Sequence, residues 1–157
     1  MKRYQSIYES KKELREGFLT DLIFNVSDIW SKVKKTSAKD KAEDQILKLQ
    51  DAYKKLKDQM EELKNDVMQD IKDDIEDLQS EKSNLPEMKE IEIELREYPQ
   101  DKIEAEKEKI RNKKEELNKE IESLQNHLKE LKKQKEKIRN MMIVLKNKID
   151  ELKNSEQ

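Results

Sequence analysis

From Ile103 to Leu152 every seventh residue is isoleucine or leucine: Ile103, Ile110, Leu117, Leu124, Leu131, Ile138, Leu145 and Leu152. Only a helix brings residues seven apart back to one side, and a heptad sustained this long is the pattern of a coiled coil. Taking these as d positions, the a positions are Lys107, Lys114, Ile121, Leu128, Lys135, Met142 and Ile149. Fifty residues of helix would extend about 75 Å. The rest of the chain has little material for any other fold. It holds one Gly and two Pro in 157 residues, and 32% of it is apolar, against roughly 45–50% in an ordinary globular domain. Sandwiches and α/β folds need more turns and more buried strand residues.

A second heptad runs through Ile46, Leu49, Tyr53, Leu56, Met60, Leu63 and Val67. It then slips by one residue. The next expected positions, Asp70 and Asp74, are acidic, and the apolar series resumes at Ile71, Ile75 and Leu78. A one-residue slip predicts a local change in helix winding. Upstream, Tyr4, Ile7, Tyr8, Leu14, Phe18, Leu22, Val26, Ile29 and Val33 mark one face of an N-terminal helix. Leu19, Ile23 and Trp30 widen that face, as suits packing against two helices. Gly17 should weaken this helix by about 1 kcal/mol relative to Ala.

Punctuation is sparse. Ser37 followed by Asp40 resembles a helix start, so a break at 35–39 competes with one continuous helix. Ser83-Asn84-Leu85-Pro86-Glu87 stops one helix and starts another, with Asn84 as a candidate cap. Met88, Ile91, Leu95 and Tyr98 fit a short helix, whereas Ile91, Ile93 and Leu95 also alternate as a strand would. Pro99 ends or kinks what precedes it.

The expected fold is all-α: a long antiparallel coiled-coil hairpin. Its parts are an N-terminal amphipathic helix (1–36), a first arm (37–83), a tip with Pro86 and Pro99 (84–99) and a second arm (100–157). The N-terminal helix either packs at the open, terminal end or continues the first arm. A parallel homodimer is poorly specified, because three lysines occupy a positions and only Glu106–Arg111 is an attractive g–e pair. A tight-turn register, with paired residue numbers summing to 170, is preferred over one summing to 184, which needs a longer tip.

Charge makes up 46% of the chain, 35 basic against 37 acidic residues. This near balance argues against a global nucleic-acid field. It is uneven, however: residues 66–98 hold 4 basic and 12 acidic groups. Asp70, Asp73, Asp74, Asp77, Glu90 and Glu94 form a candidate acidic tip. Asp73-Asp74-Ile75-Glu76-Asp77 spells D-D-x-x-D, the metal–diphosphate signature of helical isoprenoid synthases. With no second copy and too few apolar residues to wall a cavity, it reads as an acidic surface.

His127 is the only histidine, at a rim position, and Cys is absent. No nucleophile–base pair or thiolate metal site is indicated. Lys132, Lys133, Lys135, Lys137 and Arg139 lack the stacking aromatics of a nucleic-acid surface and read as a solvated face. Neither enzyme, metal nor cofactor is expected.

The apolar run Met141-Met142-Ile143-Val144-Leu145 cannot be covered by one partner helix. Together with Phe18, Leu22, Phe24, Ile29 and Trp30 it forms a candidate interface where the termini meet. The expected function is that of a cytoplasmic structural or adaptor protein binding proteins or copies of itself, with a chaperone-like shield for apolar client segments as the alternative. No segment reads as a membrane span or signal peptide, so Asn25-Val26-Ser27 is a chance sequon. Peripheral membrane contact by residues 18–30 is disfavoured by Asp21 and Asp28.

Overall fold

The structure, a computed structural model, describes residues 2–36 and 39–155, with side chains from Lys11 onward. All its regular elements are helical: α1 (Lys2–Lys34), α2 (Ala42–Glu62), a π-helical segment (Leu63–Met68), α3 (Gln69–Ser83), α4 (Met88–Glu94) and α5 (Gln100–Ser155). The chain divides into two compact units. One comprises Met1–Met68 with Glu130–Gln157, and the other Gln69–Lys129.

In the first unit, α1 packs against α2. Leu22, Val26, Ile29 and Val33 are the buried side of α1, and Ile46, Leu49, Ala52 and Leu56 that of α2. The terminal half of α5 contributes Leu131, Ile138, Met142, Leu145 and Ile149 to this unit's core. The two terminal segments of the chain therefore share one unit. The side chains of Tyr4, Ile7 and Tyr8 lie outside the described residues.

The chain breaks after α1. Lys34 is its last helical residue and Ala42 the first of α2, so the N-terminal helix does not continue into the first arm. Ser37 lies outside the described residues. Asp40 acts on the restart: its carbonyl accepts from Gln45 Nε2 at 2.7 Å and its carboxylate from Lys48 Nζ at 3.1 Å. Glu43 and Asp44 in the first turn of α2 complement the helix dipole.

The phase slip has a backbone counterpart. At Leu63–Met68 the helix widens to π geometry, which takes up one additional residue. Val67, the heptad position, is half-buried, and Met68 is buried in its place. From Met68 the seam runs on through Ile71, Ile75 and Leu78, all buried.

In the second unit α3 stops at Ser83 and α4 starts at Met88. Glu87, rather than Asn84, precedes the first turn of α4, and its N–H donates to Glu90 Oε2 at 3.4 Å. The segment with the ambiguous strand pattern is thus helical: Ile91 is buried and Ile93 is 66% exposed. Pro99 immediately precedes α5, and its carbonyl accepts from the N–H groups of Lys102 and Ile103. Glu81 lies 3.4 Å from Lys113, whereas a register summing to 170 sets residue 81 opposite residue 89.

One substitution and one deletion test this backbone. Gly17 lies within α1 without positive φ, and an added Cβ would meet nothing within 4 Å. Gly17→Ala is expected to stabilise by about 0.5–1 kcal/mol in thermal melts. Deleting Asp66 joins the two heptad phases into one unbroken seam. It is expected to keep full helicity by circular dichroism and to raise Tm; a loss of cooperative melting would show that the π segment is needed.

Candidate functional site

The apolar candidates separate into core and surface. Leu22, Ile29 and Met142 are buried, while Phe18, Trp30 and Met141 are half-buried. Phe24 is 70% exposed, and Ile143 and Val144 are each 51% exposed. All belong to the first unit. The geometry of α1 explains the split. Leu22, Val26, Ile29 and Val33 follow four–three–four steps and occupy the core side, and Phe24 falls outside that series. Leu14, expected on the buried face, is 72% exposed. On α5, Met142 and Leu145 are seam residues, and the intervening Ile143 and Val144 project away from it. Leu47 on α2 and Ile93 on α4 are further exposed apolar residues that heptad reasoning did not select.

A cleft of about 320 Å³ lies between α1 and α2. Ile29, Val33 and Ala52 line it together with Lys32, Lys35, Lys48, Lys55, Thr36 and Asp51. Most of this positive charge is neutralised locally. Lys32 pairs with Asp28 at 3.3 Å, Lys48 with Asp40 at 3.1 Å and Lys55 with Asp51 at 3.0 Å.

The acidic candidates belong to the second unit. Asp70, Asp73, Asp77, Glu90 and Glu94 are exposed and Asp74 is half-buried. Asp73 accepts a hydrogen bond from Gln69 Nε2 at 3.1 Å. Among the described residues, no three Asp, Glu or His side chains converge as a metal site requires. His127 is half-buried on α5.

The most constrained charge is one that the heptad placed on the seam. Lys107 is only 8% exposed. Its ammonium pairs with Glu92 of α4 and lies 3.7 Å from Glu104. The hydrogen bond from Lys107, then its charge, hold the Glu92 carboxyl below the usual carboxylate range. Glu120 is shifted the other way, first by partial burial and then by the nearby Glu116 and Glu81. Lys107 was readable as a polar a position; its partner on α4 depends on the tertiary fold.

No protein-family model matches the chain, and no curated protein or solved structure shows significant similarity to it. Among the described residues, no helix is long and apolar enough to cross a membrane.

The two shifted carboxylates respond oppositely to acid. Glu92, with its folded-state pKa depressed, contributes stability above the ordinary carboxylate range and loses it as pH falls through the lowered value. Glu120 opposes folding when ionised, and that cost is relieved as pH falls through its raised value. Glu92→Gln is therefore expected to lower Tm at neutral pH, with the difference from wild type vanishing in strong acid. Glu120→Gln is expected to raise Tm modestly at neutral pH, within about 0.5 kcal/mol for a largely solvated group. Parallel melts of the three proteins across pH check both signs.

Proposed function

We propose that this chain is a non-enzymatic helical adaptor or scaffold that works by protein–protein association through the unit formed by its terminal segments. The observation that carries this reading is the surface of that unit. Leu14, Phe24, Ile143 and Val144 are left in solvent, although the chain has few apolar residues to spare. Single exposed apolar residues are ordinary; several on one small unit suit contact with another protein.

The architecture proposed for it is an antiparallel coiled-coil hairpin. Two ion pairs within the second unit support that sense. Glu81 of α3 meets Lys113 of α5, and Glu92 of the intervening α4 meets Lys107, as expected of a chain that doubles back between α3 and α5. A cytoplasmic setting fits the absence of Cys from the sequence. The second reading, a chaperone-like shield for apolar client segments, draws on the same exposed residues, Phe24 above all.

Light scattering and a hydrophobic reporter dye distinguish these readings. Adaptor or scaffold function predicts association that rises with concentration, little dye fluorescence once assembled, and loss of association in Phe24→Ser/Ile143→Ser/Val144→Ser with helicity retained. A monomer that binds dye strongly and suppresses aggregation of an unfolded client would favour the shield. A dye-silent monomer at every concentration would overturn both.

A further inference from the structure

The uneven charge distribution points to an occupant for one of these surfaces. Residues 129–148 of α5 contain eight Lys or Arg and two Glu. Elsewhere on the helices many cations have a carboxylate three or four residues away, as in Lys32–Asp28, Lys55–Asp51, Arg111–Glu108 and Lys119–Glu115. In the basic stretch Lys133 has such a contact, with Glu130 at 4.0 Å. Among the described residues, Lys137, Arg139 and Lys148 have no carboxylate within ion-pair distance. The exposed Ile143 and Val144 lie among these cations, with Arg139 one turn before Ile143 and Lys148 one turn after Val144. Among the described residues, this is an apolar pair framed by cations without a carboxylate partner.

The second unit carries the inverse surface. On α4 and the turn after it, Ile93 is 66% exposed. Glu90 stands one turn before it, and Glu94 and Glu97 follow, all exposed. Residues 84–99 hold five Glu against one Lys and one Arg. Glu92 is already taken by Lys107; among the described residues, Glu90, Glu94 and Glu97 have no cation within ion-pair distance.

We propose that the α4 surface of one copy docks on the Ile143–Val144 strip of a second copy of this chain. Glu90, Glu94 and Glu97 would face Lys137, Arg139 and Lys148, and Ile93 would lie against the apolar pair. The inference rests on the adaptor or scaffold reading and names its partner as the chain itself. Because the two surfaces differ, the contact is heterologous. Each copy retains a free donor and a free acceptor surface, so assembly continues into a ring or a filament. Opposite charges around a small apolar centre give specificity and fast, salt-sensitive encounter.

Charge exchange on the full-length protein tests this. One variant reverses α4 (Glu90→Lys/Glu94→Lys/Glu97→Lys) and the other reverses α5 (Lys137→Glu/Arg139→Glu/Lys148→Glu). All the replaced side chains are exposed, and circular dichroism checks that helicity is kept. Sedimentation velocity should show wild-type association at low salt that weakens at least about tenfold at high salt, and a similar loss in each variant alone. An equimolar mixture of the two variants should associate again. A wild type that stays monomeric at low salt, variants that associate as wild type does, or a mixture that stays monomeric each overturn the proposal. The salt dependence of wild type decides the matter even if a variant misfolds. If phosphatidylserine vesicles bind a monomeric wild type and the α5 variant loses that binding, the strip serves an anionic membrane and the proposal fails. Association that survives both reversals but is lost in Phe24→Ser overturns this contact and leaves the adaptor reading standing.

Discussion

Keeping a narrow apolar stripe on one side of each helix is the constraint on which the rest of this structure depends. With 32% apolar residues, the chain has no thick core to fall back on. Each buried Leu, Ile or Met contributes roughly 1.5–3 kcal/mol, so turning even three of them into solvent would cost a large part of a typical stability of about 5–15 kcal/mol. The π segment at Leu63–Met68 shows which term wins. The sequence carries one residue too many between Leu63 and Ile71. The backbone departs locally from α geometry, and Met68, Ile71, Ile75 and Leu78 stay buried. An irregular turn costs less than a misdirected seam.

The same economy explains Lys107. A lysine at an a position covers apolar neighbours with its four-carbon stem, yet its ammonium cannot remain buried without a counter-charge. Glu92 supplies that charge from α4. The seven-residue α4 is too short to persist as an isolated helix. The burial of Ile91 and the Lys107–Glu92 pair therefore anchor an element whose own propensity is insufficient. A polar interruption in one helix becomes the attachment point of another.

How far these features are legible in the sequence depends on the range of the interaction behind them. The heptads and the slip after Leu63 follow from spacing within a single helix and can be read directly, whereas the sequence leaves a break between α1 and α2 open against one continuous helix. Register cannot be read this way. Shifting two heptads by seven residues restores the same apolar layers, so only the charges between helices discriminate, and Glu81 meets Lys113 instead of the neighbour a tight turn would give it. Residues 88–94 had two compatible periods, and the burial of Ile91, a tertiary contact, selects the helix. The candidate interface residues divide between core and surface for a related reason. Hydrophobicity alone cannot separate Leu22 and Ile29, which lie in the core, from Phe24, which lies outside it; the four–three–four spacing of α1 can.

Charge obeys the same division by range. Where acids and bases alternate along a helix, as in α2 and the first half of α5, neighbours one turn away neutralise each other and leave little field beyond the Debye length. Between residues 129 and 148 the local acids run out, and in residues 84–99 the local bases do. A helix cannot cancel such a block internally, and the block repels itself. Net charge near zero therefore conceals two surfaces of opposite sign in separate units, each with exposed apolar residues at its centre. A composition that looks like plain solubility is, position by position, an arrangement in which blocks of like charge flank two of the exposed apolar sites, Ile93 and Ile143–Val144.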